Sequence, residues 1–289
     1  MEPQTKVKIA VVQPYKFAGG MCTPGGKPTH GDARNLETAC TYIAEAAAEG
    51  ARLVAFPQFY PGPSRDSPDI SFDEVAAEMG RRAREHSIIV LFCGARLSGD
   101  RYHNTANLVL PSGEIYTYNK MIPSASATSE IPGNNAVVVE TEIGKIGLLI
   151  CWEAWFPELA RILALKGAEL LLFPCGGLIY ELRDSWTAVL QCRAAENTAL
   201  VASCVSLFGV EDGMAHVFSP EGCLGSLLRE GILCVEVDMG RLRTLRSHEE
   251  ELVLPKRFRT IPGVLRSLPP SVVRAYCDTA SEALLTNRT

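Results

Sequence analysis

The apolar residues of this chain come in short runs, and that pattern constrains the fold more than any other feature. Residues 7–12, 52–56, 88–93, 146–150, 169–173, 200–205, 216–219 and 232–237 are mainly apolar stretches of four to six residues, most of them flanked by polar or turn-forming residues. Runs of this length predict buried strands. Helical patterns lie between several of them, over residues 33–49, 72–86, 156–166 and 180–196. In the first, Leu36, Ala39, Cys40, Ile43 and Ala47 recur at the spacing of one helix face. Asp32 is the expected N-cap there, and Gly50 the expected stop. Hairpin-like strands at 105–110 and 114–119, and a further pair at 136–140 and 145–150, interrupt the strand–helix rhythm. Alternation broken by hairpins predicts an α/β fold in which a mixed sheet is covered by helices.

With 289 residues, the chain is long enough for one large domain or two small ones. No repeat, low-complexity tract or linker divides it, so residues 1–289 are expected to form a single domain. The charged, proline-containing stretch 241–289 is expected to be a C-terminal arm. No apolar run approaches the roughly 18 residues of a membrane span. The formal net charge is −5 and no basic run is present, which argues against nucleic acid or anionic lipid as a partner. Residues 1–8 lack the charged, then apolar, then small-residue order of a secretion signal. The ten cysteines are scattered without a C-x-x-C pair, and the five histidines are equally dispersed. The expectation is reduced thiols in a cytoplasmic protein, most of them small core hydrophobes, with no metal and no cofactor.

One cysteine has a setting that singles it out. Cys151 follows the apolar run 146–150 and precedes the helical pattern 156–166. A cysteine between a strand end and a helix meets exposed backbone N–H groups and the positive end of the helix dipole. Both favour a thiolate and can hold a developing oxyanion. Taken alone, Cys151 fits a buried core thiol equally well; the segments around it decide between the two.

Ile150-Cys151-Trp152-Glu153 and the following Phe156-Pro157-Glu158 resemble the nucleophile motif of the nitrilase, or carbon–nitrogen hydrolase, superfamily. The lysine motif is matched by Tyr118-Asn119-Lys120-Met121, after the hairpin-like Leu108-Val109-Leu110-Pro111-Ser112-Gly113-Glu114. Supporting segments are Ala164-Leu165-Lys166-Gly167-Ala168-Glu169, Arg193-Ala194-Ala195-Glu196-Asn197 and Ser219-Pro220-Glu221-Gly222, so the likeness covers residues 7–246. It implies a four-layer α-β-β-α sandwich with two mixed β-sheets, and a homodimer or larger homo-oligomer paired through helices near the nucleophile. The loop 14–31 is longer than the usual family connection.

The family works with a Glu–Lys–Cys triad. The resemblance makes Cys151 the nucleophile, Lys120 the cation beside the oxyanion, and the Trp152 N–H a further oxyanion donor. The first motif is altered: in Phe56-Pro57-Gln58-Phe59-Tyr60, Gln58 stands where the family has glutamate. A glutamine side chain accepts a hydrogen bond but does not titrate, so Gln58 cannot shuttle a proton. Three readings stay open. Gln58 is an introduced, near-isosteric block; it is natural, in a protein that binds without hydrolysing; or another carboxylate supplies the base. Glu130 is the candidate for the last, since several family members carry a second glutamate between lysine and cysteine. The resemblance makes Glu153 a residue of the pocket or of the layer behind it, with a salt bridge to Arg161 or Arg193 as the alternative; Trp152, Trp155 and Tyr60 are candidates to line the substrate pocket, with core packing the default for such aromatics. The substrate class implied is a small amide or N-carbamoyl compound, with a nitrile as alternative. The rival functions are a silent binding protein on this scaffold and an acyl transferase.

Overall fold

The computed structural model describes residues 5–15, 31–65, 68–124, 127–177, 182–207 and 214–247. The chain divides into two compact units, Met1–Leu242 and Arg243–Thr289. The loop 14–31 beyond Tyr15 and the arm beyond Ser247 lie outside the described residues.

The first unit begins with β1 (Lys6–Gln13), α1 (Asp32–Ala48), β2 (Leu53–Ala55), α2 (Phe72–His86), β3 (Ile89–Ser98), β4 (Arg101–Val109) and β5 (Ile115–Asn119). It continues with β6 (Val138–Thr141), β7 (Gly144–Leu148), a 3-10 turn (Cys151–Trp155), α3 (Pro157–Leu165), β8 (Leu170–Cys175), α4 (Arg183–Asn197), β9 (Leu200–Val205), β10 (Ala215–Ser219), β11 (Gly222–Leu227) and β12 (Gly231–Asp238). A last helix, α5 (Met239–Ser247), crosses the boundary between the two units.

Two six-stranded mixed sheets result, in the orders β12-β1-β2-β3-β4-β5 and β11-β10-β9-β8-β7-β6. Each has three parallel strands near its middle, β1-β2-β3 and β7-β8-β9, with antiparallel strands outside them. The period of two along each strand sorts side chains between layers. In β1, Val7, Ile9 and Val11 enter the apolar core between the sheets, while Ala10 and Val12 pack with α1 and α2. In β8, Leu170 and Leu172 face the intersheet core, and Leu171 and Phe173 face α3 and α4. Strands buried on both faces must be apolar throughout, which is why the central runs read as unbroken stretches in the sequence. The order of layers is therefore helices, sheet, sheet, helices.

Local signals explain most boundaries. Ser71 and Glu74 form a reciprocal capping box at the start of α2, with Ser71 N–H donating to Glu74 Oε2 at 2.9 Å and Glu74 N–H to Ser71 Oγ at 3.2 Å. Gly50, just beyond the end of α1, has φ +79°. The N-cap of α1 differs from the expectation: it is Gly31, and Asp32 lies inside the helix with its carboxylate turned to the Ser64 N–H and hydroxyl at 2.8 and 3.0 Å. The first helical N–H groups go instead to Asp69, at 2.9 Å from Asp32 N and 3.2 Å from Ala33 N. A cap supplied from another loop cannot be read from local sequence.

Two elements went unread in the sequence. β11 is an edge strand of Gly, Cys and Ser, with poor intrinsic strand preference, held by pairing with β10 across a bulge at Val217/Phe218. The helix α5 was the other, taking in the first residues of the arm expected from 241 onward; its Met239 and Leu242 enter the intersheet core. Among the described residues no helix is long and apolar enough to cross a membrane.

Candidate active site

Cys151 sits on the 3-10 turn after β7 with φ +51°, in the left-handed region that side chains other than glycine rarely adopt. Among the described residues, four non-glycine residues have positive φ: Phe59, Ser87, Cys151 and Thr198. Ser87 and Thr198 are the C-caps of α2 and α4, where that conformation is ordinary. The other two are Phe59, next to Gln58, and Cys151 itself. Among the described residues, positive φ at a non-glycine residue without a capping role thus falls only at two points that carry the sequence motifs.

The topology explains how the motifs meet. Gln58 is the third residue beyond the end of β2, and Cys151 the third beyond the end of β7. Both therefore emerge from the C-terminal edge of a parallel strand, the usual place for a site in such sheets. Lys120 follows β5 directly, with its N–H bonded to the Asn104 carbonyl at 2.9 Å. Its side chain is 2% exposed, rare for a lysine. The Lys120 charge lowers the pKa values of Cys151, Cys175 and Glu130 alike. Glu130 is 5% exposed. The segment carrying it is stitched to β4 by Tyr102 N–H to Ser129 O at 3.1 Å and Ile131 N–H to Tyr102 O at 2.7 Å. It then runs against the end of β5, where the Gly133 N–H reaches the Lys120 carbonyl at 2.7 Å. A Cβ at Gly133 would come within 2.1 Å of the Asn119 carbonyl oxygen, so only glycine permits that approach.

Gln58 is 7% exposed, and its Oε1 accepts the Gly176 N–H at 3.1 Å. A Cβ at 176 would meet that oxygen at 2.9 Å, so a larger residue there would push the Gln58 amide aside. Either glutamate or glutamine satisfies this acceptor role; only glutamate could also carry a proton.

The electrostatics favour a Cys151 thiolate. The thiol of Cys175, its sulfur 3.3 Å away, donates to Cys151 and is the largest influence lowering its pKa. Burial works the other way, and the Lys120 charge and the N–H groups of Gly176 and Trp152 add to the lowering, bringing Cys151 to about 6 from its ordinary 9.0. The hydrogen bond with Cys151, and after it burial, push Cys175 well up, so of the two it is the one that keeps its proton.

The expected substrate residues separate into two groups. Trp152 is 43% exposed beside the nucleophile, its ring 6.2 Å from that of Trp155. Trp155 packs against the core beneath α3 and α4, and Tyr60 is fully buried in the core under α1 and α2, so Tyr60 does not line a pocket. Glu153 is likewise no substrate contact. It is 0% exposed, and its oxygens accept from Tyr118 Oη at 2.7 Å, Met121 N at 2.7 Å, Ile122 N at 3.1 Å and Ile150 N at 2.7 Å. It ties the backbone after Lys120 to the backbone before Cys151. Arg193 bonds the Ala154 carbonyl and Glu196 instead of Glu153.

Three polar groups of the site were missed in the sequence. Cys175 was counted among the scattered core thiols, yet β7 and β8 pair with Leu148 opposite Leu172, and three residues further on each strand's path lie Cys151 and Cys175. That matching offset after two apolar runs was the available signal. Asn104 is fully buried beside Glu130 and favours its charged form, but neither polar atom of its side chain makes a well-formed hydrogen bond among the described residues. Tyr102 donates to Glu130 Oε2 at 3.4 Å. Among the described residues no cluster of His, Cys, Asp and Glu could hold a metal.

A sequence model of the carbon–nitrogen hydrolase family matches residues 8–247. The chain belongs to the carbon–nitrogen hydrolase family. The chloroplastic omega-amidase of Arabidopsis thaliana is 30% identical over 213 residues, covering 65% of this chain and 57% of that protein. The match thus spans little more than half of that relative. An amidase from Nesterenkonia sp. has the same fold, with a TM-score of 0.71 at 23% identity over 86% of this chain and 95% of its own. A second structure of the Nesterenkonia sp. AN1 amidase, a Glu-to-Gln mutant with a TM-score of 0.71 at 22% identity, over 86% of this chain and 95% of its own, carries the acetamide moiety of fluoroacetamide on its active-site cysteine. This member of the carbon–nitrogen hydrolase family therefore shares its architecture with the Nesterenkonia amidase at an identity that speaks to fold alone.

Proposed function

We propose that the protein cleaves the C–N bond of a small amide or N-carbamoyl compound through a thioester on Cys151. The observation that carries this reading is the thiolate-favouring setting of Cys151 on its left-handed turn, with the buried Lys120 charge acting on it. Because the sulfur is already ionised at neutral pH, attack on the carbonyl carbon does not wait for a base to remove its proton. The Lys120 ammonium and the Trp152 N–H stabilise the oxyanion. Glu130, held above the usual carboxylate range by burial with Lys120 opposing, gives a proton to the departing nitrogen and then accepts one from the water that opens the thioester. Gln58 keeps the Gly176 N–H in place without entering the proton traffic. A nitrile would meet the same thiolate, and an amine in place of water would turn hydrolysis into transfer.

The homo-oligomer implied by the family has a candidate surface on α3, where Ile162 and Leu165 are exposed one turn apart. A second reading rests on Gln58: a protein that binds amides without turning them over. Ammonia release from a panel of small amides, N-carbamoyl compounds and nitriles separates the two, with Cys151→Ala as the blank. Turnover by the parent that Cys151→Ala abolishes supports the hydrolase. Turnover only after Gln58→Glu makes Gln58 a block, introduced or evolved, on a scaffold otherwise ready for hydrolysis, and silence from both forms favours the binding protein.

A further inference from the structure

We propose that Cys151 and Cys175 form a dithiol–disulfide redox site, which a hydroperoxide oxidises to an intramolecular cystine and a small thiol reductant restores. The two sulfurs are 3.3 Å apart, at contact distance: Cys175 is the last residue of β8, and Cys151 opens the 3-10 turn that follows its parallel neighbour β7. The site stands on this sulfur geometry and is independent of which substrate Cys151 takes.

Exposure and charge divide the labour between the two residues. Cys151 is partly open to solvent and Cys175 is buried behind it. A partly exposed thiolate beside a lysine is the form that reacts with peroxide. Its sulfur attacks one peroxide oxygen: an S–O bond forms, the O–O bond breaks, and the leaving alkoxide takes a proton to become an alcohol. Cys151 is then a sulfenic acid, oxidised by two electrons. Cys175 attacks that sulfur; the S–S bond forms, the S–O bond breaks, and hydroxide leaves with the Cys175 proton as water. Two thiols and one hydroperoxide have become one cystine, one alcohol and one water.

The second step is favoured by what the first removes. The largest influence keeping Cys175 protonated is its hydrogen bond with Cys151, and the Lys120 charge lowers its pKa. Once Cys151 is no longer a thiolate, that hold is gone while Lys120 remains. A sulfenic acid with a thiol in contact closes to a disulfide before further peroxide can carry it to the irreversible sulfinic acid. Whatever chemistry Cys151 performs would thereby be switched off reversibly.

The test treats the whole chain with near-stoichiometric hydrogen peroxide, blocks free thiols, and maps peptides without reduction. The expected result is a Cys151–Cys175 cystine peptide, two hydrogens lighter than its thiol pair, which dithiothreitol returns to two alkylatable thiols. In Cys175→Ser the cystine is lost, Cys151 is trapped by dimedone as sulfenic acid, and with more peroxide it passes to a sulfinic acid that dithiothreitol does not recover. Mapping of the parent needs no variant, so it stands even if the substitution harms folding. The proposal is overturned if peroxide-treated parent leaves Cys175 fully alkylatable while Cys151 goes to sulfinic acid, or if Cys151 pairs with another cysteine.

Discussion

Two buried carboxylates flank the candidate site, and they could hardly be more differently treated. Glu153 receives four hydrogen bonds, three from backbone N–H groups that can only donate, and so is used up. Glu130 is almost as buried, yet its Oε1 has no partner among the described residues and its Oε2 has one long contact to Tyr102. Burial pushes both above the usual carboxylate range; at Glu153 it is opposed by donors that already fill the group, and at Glu130 chiefly by the Lys120 charge. A carboxylate with all acceptors filled is architecture, while one with an idle oxygen beside a buried cation is free to handle a proton. Sequence distance from the nucleophile points the wrong way here, since Glu153 is two residues from Cys151 and Glu130 is in another segment.

The sharpest way to break this contrast is Glu153→Ala. It strands several buried donors at about 1 to 3 kcal/mol each, so urea unfolding should show a loss of about 3 kcal/mol or more. Glu130→Gln should leave the unfolding midpoint within about 1 kcal/mol of the parent while ammonia release falls by about 10² to 10⁴. If instead Glu130→Gln unfolds the protein and Glu153→Ala spares it, the assignment is reversed. A smaller effect tests the thiolate. With Cys175→Ala the midpoint for alkylation of Cys151 should rise from about 6 towards the ordinary 9.0, because the largest lowering influence is removed while burial remains. The smallest change is Tyr118→Phe, which takes one of four donors from Glu153 and should cost about 1 kcal/mol in the same unfolding assay, with turnover per folded molecule unchanged.

How much of this was legible in the sequence varies with the range of the cause. Strands such as β9 and helices such as α2 were placed closely, because burial and capping write themselves into adjacent residues. Cys151, Lys120 and Gln58 were legible through motifs, and the structure brings them to one edge. Of the two readings the sequence left for Tyr60, pocket lining and core packing, the structure places it in the core under α1 and α2. The part Glu153 plays was left between alternatives because three of its four donors lie 31 to 35 residues away, in a segment whose backbone position is set by sheet packing. The Cys175 contact needed strand register, and register is a tertiary fact.

The central claim is that Cys151 is a working thiolate without a carboxylate at position 58. The most direct measurement is the rate of fluoroacetamide labelling of the parent protein against pH, read by intact mass and peptide mapping. The thiolate appears as pH rises through the Cys151 pKa, so the account predicts one adduct, on Cys151, with a rate midpoint near 6 and a plateau at neutral pH. Labelling elsewhere, or a Cys151 rate that climbs only towards the ordinary thiol value, would contradict it.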